Sequence, residues 1–197
     1  VVSADELTRV EVRIVGTAPL LMHNGRLSNP LDPAAKRMKE ITAKKKKTDE
    51  DHLALARAEW DGSLYLDDEG RPCIPGEMLD AMMAEGAKKT KLGKLFKSAV
   101  FTDAGSYPLV YDGPKDIEKL YADGKFIDSR GVRNQMNRGQ RTRPRFNKWS
   151  LEFAVTIIPG AGVNPKDVCG ALETAGLLVG IGDFRPRFGR FTVEKFD

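Results

Sequence analysis

The twenty residues 129–148 contain six arginines, one lysine and no acidic residue. Five side-chain amides, Asn134 and Gln140 among them, are interleaved with these cations. Guanidinium groups neutralise phosphates, and amides hydrogen-bond to bases and sugars. A loop that served only solubility would usually mix charge signs and use lysine and glutamate. We therefore interpret the stretch as a nucleic-acid contact, formed by Arg130, Arg133, Arg138, Arg141, Arg143, Arg145 and Lys148.

The same stretch has almost no apolar residues beyond Val132 and Met136. We therefore expect that it does not fold onto the core, and that it forms either an exposed hairpin tip or a disordered loop. Proteases cut exposed polar loops readily. We expect cleavage within this stretch when no ligand is bound.

A second stretch, residues 176–191, combines glycine with arginine and phenylalanine. Glycine lets the backbone approach a ligand closely, arginine neutralises phosphate, and phenylalanine offers a ring face to a base. The alternative is a tight connection between a helix and a final strand, in which some glycines serve packing and Phe191 is core. The candidate contacts are Phe184, Arg185, Arg187, Phe188 and Arg190.

His23 follows the first predicted strand and precedes Asn24. A metal-independent ribonuclease could use such a histidine as a general acid or base. The alternative is a turn histidine that, with Asn24, hydrogen-bonds locally or touches nucleic acid. Both interpretations stay open from the residues alone.

The remaining polar residues do not form recognisable metal or cofactor motifs. His23 and His52 are the only histidines, and neither belongs to an HxxxH pattern or a His/Asp cluster, so we expect neither a metal site nor a cofactor. Cys73 and Cys169 form no CxxC motif, which predicts free thiols in a reducing cytoplasm. The sequence contains neither an 18-residue apolar run nor a signal peptide, so we expect no membrane partner.

The apolar pattern predicts a mixed fold. Residues 7–16 and 149–158 alternate between apolar and polar side chains, which predicts two half-buried strands. Once a helical insertion is removed, the predicted elements follow the order β-α-β-β-α-β, the ferredoxin-like arrangement of RNA-recognition domains. We therefore predict an α+β, ferredoxin-like (RRM-like) fold in one domain, 1–197, with a helical insertion at 30–62 and a basic hairpin at 126–150. The other predicted elements are a hairpin of short strands at 63–66 and 71–74, helices beginning near 76 and 164, and a closing strand at 192–196.

Three segments, taken in order, resemble the RAMP superfamily, the ferredoxin-like RNA-binding proteins of CRISPR effector complexes. They are the opening strand with GTAPLLMHN at 16–24, the IPGEML junction at 74–79, and the glycine-rich residues 180–191. Two details depart from the family pattern. Glu77 stands where the family commonly has a small polar residue, and the glycine-rich segment carries aromatic residues and arginines.

The resemblance implies a modified RNA-recognition fold that binds single-stranded nucleic acid. Backbone subunits of this family project a basic hairpin "thumb" and polymerise along the strand, and residues 129–148 lie where that thumb would be. The insertion at 32–60 lies where the family places variable helical subdomains. A virus- or mobile-element-encoded relative fits as well as a CRISPR subunit.

Together these features predict a non-enzymatic, sequence-tolerant protein that binds single-stranded RNA or DNA in the cytoplasm of a bacterial or phage-infected cell. Its expected partners are the nucleic acid and copies of itself, in a filament or ribonucleoprotein of CRISPR-type defence or phage biology. One alternative is a metal-independent endoribonuclease that processes guide RNA with His23. Another is a viral structural or interaction protein whose basic loop touches an acidic protein partner.

Overall fold

The computed structural model describes residues 7–134 and 137–197, and its chain divides into two compact units. Unit 1 comprises the chain up to Leu20 together with residues 66–112 and 147–197, and unit 2 comprises residues 21–65 and 113–146. The strands are β1 (Thr8–Gly16), β2 (Leu20–Leu21), β3 (Cys73–Pro75), β4 (Val100–Thr102), β5 (Ser106–Pro108), β6 (Ile127–Asn134), β7 (Asn137–Phe146), β8 (Ser150–Ile157) and β9 (Phe191–Phe196). The helices are α1 (Pro33–Thr42), α2 (Asp49–Ser63), α3 (Gly76–Ala87), α4 (Gly93–Ala99), α5 (Ile117–Ala122) and α6 (Pro165–Leu178).

Unit 1 is built on an antiparallel sheet with the strand order β4-β8-β1-β9. Side chains alternate between the faces of a strand, and β1 accordingly buries Val10, Val12 and Ile14. Val10 and Val12 lie opposite Val155 and Phe153 of β8, which are also buried. The two strands predicted from alternation are therefore confirmed, and the fold is α+β with antiparallel sheets.

Helices α3 and α6 pack against each other in unit 1. A Cβ atom at Gly86 of α3 would lie 2.2 Å from the carbonyl oxygen of Ala171 in α6, so only glycine permits this close approach. Helix α6 begins with a capping box between Asn164 and Asp167, and Pro165 occupies its first turn. Along the chain, β1, α3, β4, β8, α6 and β9 follow the order β-α-β-β-α-β, and the sheet places the last of these strands beside the first.

The predicted hairpin of residues 63–66 and 71–74 is confirmed only in part. Leu66 and Pro72 form an antiparallel bridge, and the N–H of Asp67 bonds to the carbonyl of Arg71 at 3.0 Å. The first predicted strand is not formed, because helix α2 continues to Ser63. Strand β3 instead pairs with β5, which follows some thirty residues later in the chain. Burial of Ser63 and Leu64 beside the end of α2 outweighs the strand preference of this short apolar run.

Unit 2 combines α1, α2 and α5 with a sheet of order β2-β7-β6. Its core is aromatic: buried Trp60 donates an indole N–H bond of 2.9 Å to the carbonyl of Phe126 and lies edge-on to Tyr121. Phe126 also packs against Phe146, with ring centroids 5.8 Å apart. Two residues of this core thus lie close to the basic stretch in sequence: Phe126 just before it and Phe146 near its end.

Candidate nucleic-acid interface

The arginine-rich stretch forms a two-stranded hairpin, β6 and β7, in which Ile127 lies opposite Pro144 and Asn134 lies opposite Asn137. Residues that face each other across the two strands share a face. The register therefore places its described side chains in two groups. The arginine face comprises Asp128, Arg130, Arg141, Arg143 and Arg145, and the hydroxyl face comprises Ile127, Ser129, Gln140 and Thr142.

A buried carboxylate organises the arginine face. Asp128 is 6% exposed and accepts two hydrogen bonds from Arg130, of which the bond from Nε to Oδ1 measures 2.5 Å. Nη1 of Arg145 lies 3.8 Å from Oδ2 of the same carboxylate. The hydrogen bond to Asp128 raises the pKa of Arg130, although partial burial of the guanidinium acts in the opposite direction. Asp128 therefore fixes one edge of Arg130 and attracts Arg145.

A second carboxylate reaches the hairpin from α2. Glu59 is 5% exposed; its Oε1 accepts a bond of 2.7 Å from Nη1 of Arg141, and its Oε2 accepts one of 2.8 Å from the backbone N–H of Thr142. Glu59 thereby satisfies both the side chain and the main chain of β7. The side chains of Arg130, Arg141 and Arg145 nevertheless remain 30%, 36% and 35% exposed, so each is held in place while part of it faces outward.

Two expectations for this stretch need correction. The residues were expected not to fold onto the core, yet Thr142, Pro144 and Phe146 are buried. Arg143, predicted to contact phosphate, is 7% exposed and lies opposite Asp128 in the register. The physical reason is that the base of the hairpin carries apolar residues which pack in unit 2, as Phe146 does against Phe126.

The other predicted cations of this stretch are Arg133, Arg138 and Lys148. Arg133 and Arg138 are backbone partners next to the Asn134–Asn137 pair, and their side chains lie outside the described part of the structure. Lys148 is exposed in unit 1. Residues 129–148 carry a formal charge of +7 and the whole chain carries +4, so the other 177 residues carry −3. The segment is therefore strongly basic, and residues 36–47, with a formal charge of +6, form a second basic stretch.

The glycine-rich segment serves partly as a tight connection within unit 1. Gly180, Gly182 and Gly189 all have φ between 71° and 79°, a region that side chains disfavour. The N–H of Ile181 bonds to the carbonyl of Gly189 at 2.9 Å, and the N–H of Gly189 bonds to Pro19 at 2.8 Å. These contacts bring the two ends of the connection together.

The arginines of that connection are exposed, but its phenylalanines differ. Phe184 is 44% exposed and has φ of +59°, which is unusual for an aromatic residue. Phe188 is 8% exposed and packs edge-on to Phe184, so in this structure its ring is buried, unlike that of Phe184. The exposed predicted residues here are Phe184, Arg185, Arg187 and Arg190.

His23 and Asn24 are engaged with neighbouring chain in unit 2. Nδ1 of the half-buried His23 lies 3.4 Å from the Ser63 hydroxyl. The side chain of Asn24 accepts a bond from the N–H of Arg26 and donates one to the carbonyl of Leu64, both 3.0 Å long. These contacts tie the chain after β2 to the end of α2, which is the role of a local turn.

Within residues 7–134 and 137–197, no group of three or more histidine, cysteine, aspartate or glutamate side chains could hold a metal ion. Over the same ranges, no helix combines the length and the apolar character needed to cross a membrane.

The chain was compared with known proteins. No protein-family model matches it, and no curated protein matches it. A solved structure does, at a TM-score of 0.52 and 10% sequence identity: a chain from the cryo-EM structure of the Type III-B Cmr-beta bound to cognate target RNA. The likeness is one of fold. The alignment covers 97% of this chain and 60% of that chain, so the present chain spans about three-fifths of its structural relative.

Proposed function

We propose that this chain is a RAMP-like subunit that binds single-stranded nucleic acid through the β6–β7 hairpin. The observation that carries the proposal is the arginine face, whose exposed guanidinium groups are held by the buried carboxylates of Asp128 and Glu59. A guanidinium has five N–H donors in a rigid fork, so one edge can bond a carboxylate while another meets a phosphate. Arginines fixed in this way lose less side-chain entropy when the ligand binds.

The fold supports the same assignment. The order β-α-β-β-α-β, with the last strand beside the first, is that expected of the ferredoxin-like fold of RNA-recognition domains. The structural relative carries the description of a Cmr-beta bound to cognate target RNA. By analogy, we propose that RNA is the first ligand to test and that the protein works within a ribonucleoprotein.

The exposed face of the unit 1 sheet is a poor alternative site for phosphate. RNA-recognition domains commonly use this sheet surface to stack bases. Here Arg9 pairs with Asp103 and Glu11. Arg13 of the same strand likewise pairs with both Glu152 and Glu194. Since each arginine already faces two carboxylates, this surface attracts a polyanion less than the hairpin does.

A second contact is proposed on the glycine-rich connection of unit 1. The exposed ring of Phe184 offers one face to a base, and the exposed cations nearby in sequence suit phosphate. The cations are Arg185, Arg187 and Arg190. His23 is given no catalytic role in this proposal, because its contacts suit a structural turn.

The test is the salt dependence of binding to a labelled, unstructured single strand. We expect the Arg145→Gln protein to lose about 4-fold in affinity near 0.1 M salt, and its log–log salt slope to fall by about 0.7, the contribution of one phosphate contact to a single strand. Arg145 is chosen because Asp128 keeps its two hydrogen bonds from Arg130, whereas replacing Arg130 or Arg141 would leave a buried carboxylate without its partner.

The matched control is Lys166→Gln, which removes the same charge from the exposed first turn of α6. It should leave both affinity and slope nearly unchanged. Equal losses for the two proteins would mean that only net charge matters, and the hairpin would not be the site. The same RNA, recovered with and without a chelator, should run intact on a denaturing gel; cleavage that disappears with His23→Ala would favour the ribonuclease instead.

A further inference from the structure

A groove of about 510 Å³ lies between α2 and the hydroxyl face of the hairpin, entirely within unit 2. Its apolar side includes Leu53, which is 68% exposed although it is a large aliphatic side chain. Ligand sites generally combine apolar walls with a few placed polar groups in a volume of about 300–1,000 Å³. The lining used below consists of Leu53, Ala56, Tyr121, Ser129, Gln140 and Thr142.

The polar side of the groove is a row of bonded side chains. The hydroxyls of Ser129 and Thr142 lie 2.9 Å apart, and Nε2 of Gln140 donates a bond of 2.8 Å to the Ser129 hydroxyl. A glutamine amide has two N–H donors and one carbonyl oxygen. The bond to Ser129 uses one N–H, so the amide has a further donor and an acceptor of the kind that reads the edge of a base.

The charge of the groove differs from that of the arginine face. Its titratable lining residues are Asp49, His52 and Glu59, of which Glu59 is already paired with Arg141, and none of the described lining residues is lysine or arginine. Because no lysine or arginine lines the groove to neutralise a phosphate, the groove suits a flat group without charge. Arg130 follows Ser129 in β6, and Arg141 lies between Gln140 and Thr142 in β7. Because side chains alternate along a strand, both arginines belong to the arginine face, opposite the groove.

We propose that this groove holds one unpaired base of the bound strand, while the phosphates on either side of that base lie on the arginine face. This inference rests on the function proposed above. Strand β6 is the outer strand of its sheet, so a nucleotide can pass from one face to the other across its edge. The apolar wall would cover the base, and the Gln140 amide would bond to its edge.

The experiment combines an abasic position in the oligonucleotide with variants of the groove. The strand is shortened to the smallest length that still binds, so that it occupies one register. It is made as RNA and as DNA, with one abasic position moved along its length. For the natural protein we expect one position at which loss of the base weakens binding about 10-fold, the size of a base-stacking contribution. Ala56→Phe fills the groove and should reduce that difference to within about 2-fold.

Gln140→Ala is the second variant, because Gln140 is exposed and its truncation does not threaten folding. This variant should at least halve the loss of affinity that the abasic position causes. Circular dichroism checks that both variants are folded. Each variant should keep the natural salt slope, since neither removes a cation.

The inference is wrong if every abasic position weakens the natural protein and both variants equally while binding still depends on salt. That result would leave the hairpin proposal intact. Absence of salt-dependent binding by the natural protein would instead remove the hairpin proposal and this inference together. Comparison of the affinities for the RNA and DNA strands shows whether the protein prefers ribose or deoxyribose.

Discussion

Replacing Gly189 by alanine is expected to destabilise unit 1 by about 3 kcal/mol or more. Gly189 has φ of +71°, a conformation that costs alanine about 1–2 kcal/mol. A Cβ atom there would also lie 1.7 Å from the carbonyl oxygen of Ile181, so the backbone must move, at a further cost of about 1–3 kcal/mol. For a chain of this size, thermal unfolding should shift downward by roughly 6–12 °C.

The matched control is Gly170→Ala in the interior of α6. The space around Gly170 is open: apart from its chain neighbours and the backbone of its own helix, no heavy atom lies within 4 Å of the position its Cβ would take. Alanine favours the helix over glycine by about 1 kcal/mol, so this variant should melt slightly higher than the natural protein. If both variants melt alike, the connection at residues 180–189 adjusts freely and its glycines do not determine the packing.

The second large effect is expected from Glu59→Gln, which removes the charge that joins α2 to the hairpin. Hydrogen bonds to charged groups contribute about 1.5–3 kcal/mol. Glu59 is buried, but the side chain of Arg141 is 36% exposed, so water compensates part of the loss. We expect destabilisation of about 2 kcal/mol, measured as a fall of roughly 4–8 °C in the melting temperature.

Glu118→Gln is its control. The side chain of Glu118 is 79% exposed and bonds to both Nη atoms of Arg57, at 2.7 and 2.9 Å. Exposed ion pairs typically contribute less than about 1 kcal/mol, so this variant should melt within about 2 °C of the natural protein. A loss as large as that of Glu59→Gln would show that the buried position of Glu59 has no special importance.

Local patterns in the sequence were sufficient to predict those elements that depend on residues close together in the chain. The alternation of Val10, Val12 and Ile14 predicted β1, because burial of one face is the property that such alternation reflects. The same holds for α6, whose Asn164 cap and Pro165 were visible without a structure. The concentration of arginine at residues 129–148 likewise identified the segment that forms the candidate interface.

Contacts between distant parts of the chain could not be predicted from local sequence patterns. Glu59 lies 82 positions before Arg141, and no local pattern marks it as the partner of that arginine. Arg143 is buried while Arg141 and Arg145 are partly exposed, and composition alone could not separate these neighbouring arginines. The groove beside the hairpin was also missed, because its lining comes from α2, α5 and both hairpin strands.

The position of β1 in its sheet has a consequence for biosynthesis. Its partners are β8 and β9, which follow more than 130 residues later, so β1 stays unpaired for roughly ten seconds or more at ordinary rates of translation. An unpaired apolar strand readily joins another chain, and charged side chains oppose such pairing. Arg9, Glu11 and Arg13 alternate with the apolar positions of β1. They therefore protect the nascent chain from aggregation before they form the ion pairs of the finished sheet.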